Sequence, residues 1–180
     1  MNLRMAGLAA FAACSLVYSA DAKETPIGEE QEKGGMKIGA VYLQPIEMEP
    51  AGVMRDAKDS DIHLEADIKA LKGNPTGFSE GDWMPYLVVK YELTNLQNNK
   101  SQKGDLMPMV ANDGPHYGDN VKLSGPGKYK LTVSVAPPEA DKHNHFGRHV
   151  DKETGVGPWF KPFTLDYEFT FAGTGKKGAY

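Results

Sequence analysis

The segment 163–171 (FTLDYEFTF) alternates without interruption. Phe163, Leu165, Tyr167, Phe169 and Phe171 are separated by Thr164, Asp166, Glu168 and Thr170. A period of two sends successive side chains to opposite faces, so the segment reads as a strand with one face buried. The same pattern recurs upstream. Ile62, Leu64, Ala66 and Ile68 oppose His63, Glu65, Asp67 and Lys69, and Leu87, Val89, Tyr91 and Leu93 share a face within 83–95. Tyr129, Leu131, Val133 and Val135 oppose Lys128, Lys130, Thr132 and Ser134. Shorter strands are expected at 36–44 and 121–123, and a polar hairpin loop at 96–103. About seven strands, parted by Gly/Pro turns and without an amphipathic helix, predict an all-β chain folded as an antiparallel β-sandwich.

The first residues do not belong to that sandwich. Arg4 supplies a basic start, 6–18 is an apolar run too short to span a bilayer, and Ala20, Asp21 and Ala22 form a small-x-small cleavage pattern. The reading is a signal peptide over 1–22, with export to the bacterial periplasm. Phe11 stands where a lipobox calls for Leu, which argues against lipid attachment at Cys14. Residues 23–35, charged and nearly without apolar side chains, are expected to be a flexible arm. The domain is expected over 36–172 and a flexible, glycine-rich tail over 173–180.

Cys14 is the only cysteine and would leave with the signal peptide. The exported domain therefore has neither disulfides nor a thiolate metal site. The formal charge of −4 gives no support to nucleic-acid binding.

The chemistry-bearing residues gather in three places. The segment 105–118 (DLMPMVANDGPHYG) brings Met107, Met109, Asp113, His116 and Tyr117 around a Gly114-Pro115 bend. Met109 is expected to end a strand, with Asp113 and His116 on the following turn. His63, Glu65 and Asp67 leave one strand face together. His143, His145 and His149 lie in the loop HNHFGRH, and with His63 and His116 they make up the five histidines of the chain. Each group alone has a plainer reading: a wet strand face, methionine core filler or a solvated histidine loop. Together they point to a transition-metal site. Imidazole with thioether favours copper, especially Cu(I), and carboxylates also accommodate ferrous iron and manganese. Imidazole ligation predicts weaker binding below about pH 6.

The segments MKIGAVYLQPIEMEP, DIHLEADIKAL, GDWMPYL, MPMVANDGPHYGDN and RHVDKETGVGPWFKPF resemble the periplasmic high-affinity iron-transport family, in order and over nearly the whole exported chain. The resemblance implies an immunoglobulin-like fold, a homodimer with its sites near the interface, and an inner-membrane Ftr-type iron permease as partner. It also implies a copper site made by a glutamate, a methionine and two histidines. These fall on Glu65, Met109, His116 and one histidine of the 143–149 loop, best placed at His149, directly before VDKETGV, with His143 and His145 as the alternatives. Asp113 matches a residue tied to a second, carboxylate-rich position for iron, with manganese as a surrogate, and His63 assists it. One departure is Lys69, where related sequences often carry another histidine.

The function expected is a periplasmic copper- and iron-binding accessory of high-affinity iron uptake, which captures iron and passes it to the permease. Two rivals are a copper-dependent iron oxidase or reductase, and a copper carrier or resistance protein unrelated to iron. No Ser/His/Asp arrangement or phosphate loop suggests other chemistry.

Overall fold

The structure is a computed structural model and describes residues 23–175. The expected signal peptide, and residues 176–180 of the expected tail, lie outside the described residues. Nine strands follow in chain order: β1 (Thr25–Pro26), β2 (Gln31–Lys33), β3 (Met36–Leu43), β4 (Ile62–Ala70), β5 (Val88–Asn95), β6 (Ser101–Ala111), β7 (Gly114–Val121), β8 (Gly127–Ala136) and β9 (Phe163–Phe171). They pair antiparallel in the order β1-β3-β4-β7-β6-β5-β8-β9, with β2 also on β3.

The long strand β6 divides this path into two layers. From Ser101 to Leu106 it pairs with β5, and from Met107 to Ala111 it pairs with β7. Pro108 lies just past the change of partner, and having no N–H it leaves a gap that a strand interior seldom tolerates. The layers face each other over one apolar core. Tyr42 of β3 lies 5.3 Å from Phe169 of β9 between ring centroids, and Phe169 stacks in turn on Tyr129 of β8 at 5.5 Å. Ile38, Ile62, Leu64, Ile68, Leu131 and Val133 are wholly buried between them. Each such side chain contributes roughly 1.5–3 kcal/mol on leaving water. The result is an antiparallel β-sandwich of the immunoglobulin-like class.

Two bounds shift, with β6 starting at Ser101 inside the loop expected at 96–103 and the strand expected at 121–123 reduced to Val121, the last residue of β7, and three further expectations change. Residues 23–35 are laid on the sheet instead of trailing from it. β1 and β2 both pair with β3, Ile27 has no exposed surface, and its N–H donates to the Ala40 carbonyl at 2.7 Å. Ile27 and the two short ladders together anchor this charged segment. The strand expected from Trp83 starts only at Val88. Tyr86 has φ +58°, and Trp83 makes only an isolated bridge to Lys69. The third change bears on function. The bend after β6 falls at Asn112 and Asp113, so His116 lies on β7 and not on a turn. Gly114, at φ +129°, has the backbone that lets the chain enter β7 there.

Candidate metal centre

The outer face of β4, β7 and β6 carries the site. Register places His63 opposite Asn120, Glu65 opposite Gly118, and Met109 opposite His116. Such a face is ordinarily wet. Here it is covered, and His63, Glu65 and His116 are 1%, 5% and 4% exposed. The cover comes from Glu24 near the N-terminal end and from Ile46, Glu47 and Met48 in the loop after β3. With Met109, Asp113 and the three buried residues they line a cavity of about 650 Å³.

Glu65 Oε1 lies 3.5 Å from His63 Nε2 and 3.4 Å from His116 Nε2. One ligand atom from each of these residues falls within 4.8 Å of the others. Both Nε2 atoms are buried without a hydrogen-bond partner. Buried polar atoms are almost always paired, so two orphaned ring nitrogens around one carboxylate fit a cation better than they fit the protein alone. Met109 belongs to the same point. A Cβ added at Gly118 would come within 2.6 Å of His63 Nε2 and 3.1 Å of the Met109 Sδ. The missing side chain of Gly118 thus leaves space for the imidazole and the thioether to approach.

Burial dominates the electrostatics. It lowers the His63 imidazole to about 4, with the neighbouring His116 adding to the shift against a hydrogen bond to Asn120. His116 is also lowered by burial, opposed by Asp67, Asp113 and a hydrogen bond to the Gly114 backbone. Glu65 is raised to about 8, first by burial and then by the charges of Glu24, Asp67 and Asp113. The two imidazoles are therefore neutral at physiological pH, and Glu65 is the group a cation must deprotonate. This revises the expected pH dependence. Weakening below about pH 6 belongs to an ordinary imidazole, whereas these rings stay neutral further down.

Carboxylates surround the buried set. Asp113 is exposed at the tip of the β6–β7 hairpin and hydrogen-bonds the Glu24 carboxyl. Glu24 is raised mainly by burial, then by that bond and by Asp67. Asp67 is raised by burial and eased by His116 and Lys69. Lys69 acts as a cation that favours the ionised forms of Glu24 and Asp67.

His149 is not with the others. Its side chain is 74% exposed, and Nδ1 lies 2.7 Å from Thr154 Oγ1. The DKETGV motif beside it forms a turn closed by the Asp151 carboxylate, which accepts from the N–H groups of Glu153 and Thr154 and from the Thr154 hydroxyl. Of the expected site residues, then, His63, Glu65, Met109, Asp113 and His116 line one cavity and His149 does not. Sequence reading missed Glu24, placed in the supposed arm, and gave Gly118 and Asn120 no role. A lone glutamate in an acidic stretch carries no signal of its own. The signal for Gly118 was a glycine within a strand beside candidate ligands.

Among the described residues no helix is long and apolar enough to cross a membrane. The sequence matches the family described as Fe2+ transport protein over residues 21–173. A UPF0423 protein of Brucella abortus is 72% identical over 177 residues, covering 98% of this chain and 97% of that relative. The 34 kDa membrane antigen of Treponema pallidum is 41% identical over 150 residues, covering 81% and 72%. The fold is similar to the copper-reconstituted P19 protein of Campylobacter jejuni (TM-score 0.81, 55% identity, 86% of this chain and 99% of that one). It is also similar to FetP of uropathogenic Escherichia coli strain F11, recombinantly expressed in the periplasm of E. coli (TM-score 0.80, 50% identity, 84% and 97%). Copper-bound P19 structures include variants with aspartate changed to histidine, glutamate to glutamine and methionine to isoleucine. The chain belongs to the Fe2+ transport protein family and is a metal-binding protein related to iron uptake.

Proposed function

We propose that this protein is a periplasmic accessory of high-affinity iron uptake that holds copper in its buried set, captures iron at the surrounding carboxylates and passes it to an inner-membrane Ftr-type permease. One observation carries the reading: β4, β6 and β7 bring two unpartnered imidazole nitrogens, a carboxylate and a thioether to one covered point. That donor mixture suits copper, whereas a carboxylate set alone suits a harder ion such as ferrous iron. The copper-bound relatives support the same choice.

His63, Glu65, Met109 and His116 bind the copper, which when bound supplies a soft, redox-active cation. Their burial excludes water, and Glu65 gives up its proton on binding. Glu24, Asp67 and Asp113 receive the iron at the outer side. The protein works as a homodimer with its sites near the interface, where the exposed His149 can add a donor.

The test is metal binding by the wild type and by the Met109→Ala/His116→Ala double variant, followed by iron uptake in cells carrying the permease. Loss of copper binding together with slowed uptake is the expected result. Unchanged copper and iron binding by the double variant contradicts the assignment. Multiple turnovers of Fe(II) oxidation at stoichiometric copper would make it an oxidase, and a single stoichiometric event leaves it a carrier.

A further inference from the structure

Asn120 is 2% exposed and faces His63 across the β4–β7 ladder. Its side chain is committed at four points. The Ile46 N–H donates to Oδ1 at 3.2 Å, while Nδ2 donates to the carbonyls of Ile46 at 2.8 Å and Arg55 at 2.9 Å. A peptide N–H only donates and a carbonyl only accepts, so these three partners admit one orientation of the amide. The atom 3.0 Å from His63 Nδ1 is therefore the oxygen. An accepting oxygen there requires the proton on Nδ1. The lone pair of the neutral ring then sits on Nε2, the atom that faces Glu65 and His116 without a hydrogen-bond partner.

We propose that Asn120 is a positioning residue of the metal centre: it locks His63 in the Nδ1–H tautomer, aims Nε2 at the ion, and ties that ring to the 46–55 loop that walls the cavity. The proposal rests on the reading of the cavity as a metal site. One amide thereby couples a ligand to its cover. Ile46, held at both its N–H and its carbonyl, is followed by Glu47 and Met48, and all three line the cavity. A cation on Nε2 draws charge from the ring and strengthens the Nδ1–H bond to Asn120. Metal loading therefore stiffens the 46–55 loop.

The first test needs no substitution. Long-range 1H–15N spectra of protein labelled in its histidines are recorded metal-free and loaded with Cu(I). His63 is expected to be protonated at Nδ1 in both, with the Nε2 shift displaced by Cu(I) and amide exchange in the 46–55 loop slowed. A His63 protonated at Nε2 in the metal-free protein overturns the proposal.

Two variants then separate the functions of the amide. Asn120→Asp still offers His63 an acceptor but sets an oxygen against the two carbonyls, so the tautomer persists while loop exchange speeds up. Asn120→Leu loses both, and Cu(I) affinity falls by roughly 10- to 100-fold, with an altered EPR spectrum of the Cu(II) form. Asn95→Ala removes a buried asparagine that is not among the residues lining the cavity, and it is expected to lower Tm without moving either metal readout. A folded Asn120→Leu protein with wild-type affinity and spectrum overturns the positioning role alone, provided His116→Ala loses copper. If His116→Ala also binds copper normally, it is the site that fails.

Discussion

Met109 and His116 face each other directly across the β6–β7 hairpin. Because the hairpin closes through only Asn112 and Asp113, this pairing is local and set by register. The thioether and one imidazole are therefore brought side by side by this hairpin alone. β4 supplies the rest by lying on the other side of β7, where Glu65 meets Gly118.

Replacing the thioether is expected to discriminate between oxidation states. Met109→Ile keeps the volume and removes the soft donor, so Cu(I) affinity falls by about tenfold or more while Cu(II) affinity changes less. Chelator competition in both oxidation states measures the difference. Equal losses would place Met109 outside the ligand set.

Gly118 tests the packing of the site apart from its ligands. Its φ is not in the left-handed region, so alanine brings no backbone strain. The added methyl would still meet His63 Nε2 at 2.6 Å and Met109 Sδ at 3.1 Å. Gly118→Ala is expected to cost about 1–3 kcal/mol of stability, because the His63 ring is held by Asn120 and must shift, and to lose copper affinity by at least about tenfold, given how narrowly ligand geometry is tolerated. Gly104→Ala is the contrasting case. Its methyl would meet the Tyr91 ring at 2.6 Å, so it costs about 1–3 kcal/mol of stability and leaves metal binding alone. Thermal melts and copper titration of the two proteins give the comparison.

Glu65 sets the pH dependence. With its carboxyl near 8 in the metal-free protein, copper binding at neutral pH expels a proton. Calorimetry in buffers of different ionisation enthalpy should find about one proton per ion at pH 6–7 and almost none by about pH 9.5. Release centred near pH 6.5 would instead assign the proton to an ordinary imidazole. Stability follows the same group. Its folded value lies above the unfolded 4.5, so its contribution is full below about 4.5 and lost as pH rises through about 8. His63 works in the opposite sense, its contribution present above 6.5 and lost as pH falls through about 4. Copper should therefore raise Tm more at pH 8 than at pH 6, and Glu65→Gln should remove most of that difference.

Tyr117 separates fold from site. It neighbours His116 but points to the core, where its hydroxyl donates to the Met84 carbonyl at 2.7 Å and accepts from the Leu87 N–H at 2.9 Å. Tyr117→Phe leaves both backbone groups buried and unpaired, which costs about 1–3 kcal/mol. Denaturant unfolding should show that loss, while copper affinity stays within about threefold, because no ligand is touched.

The parts legible in the sequence are those fixed by local period. The alternation of Phe163–Phe171 and of Ile62 through Ile68 was enough to give strands, faces and a sandwich. His63 and Glu65 share a face for the same reason, and Met109 with His116 lies within one hairpin. What covers that face was not legible. Ile27 and Glu24 act from a segment that looks disordered by composition, and the 46–55 loop is held down by Asn120, more than sixty residues away in the chain. Contacts of that range leave no periodic trace. Neither does the open space above Gly118, which exists only once β4 and β6 flank β7. His149 shows the converse. The motif beside it is explained by a turn around Asp151, so its position in the sequence says little about where its ring points.

The most direct test is anomalous diffraction from crystals loaded with copper and, separately, with iron. The expected result is a copper peak bounded by His63, Glu65, Met109 and His116, and iron density displaced toward Glu24, Asp67 and Asp113. Copper found only on the 143–149 loop, with no peak in the cavity, would contradict it.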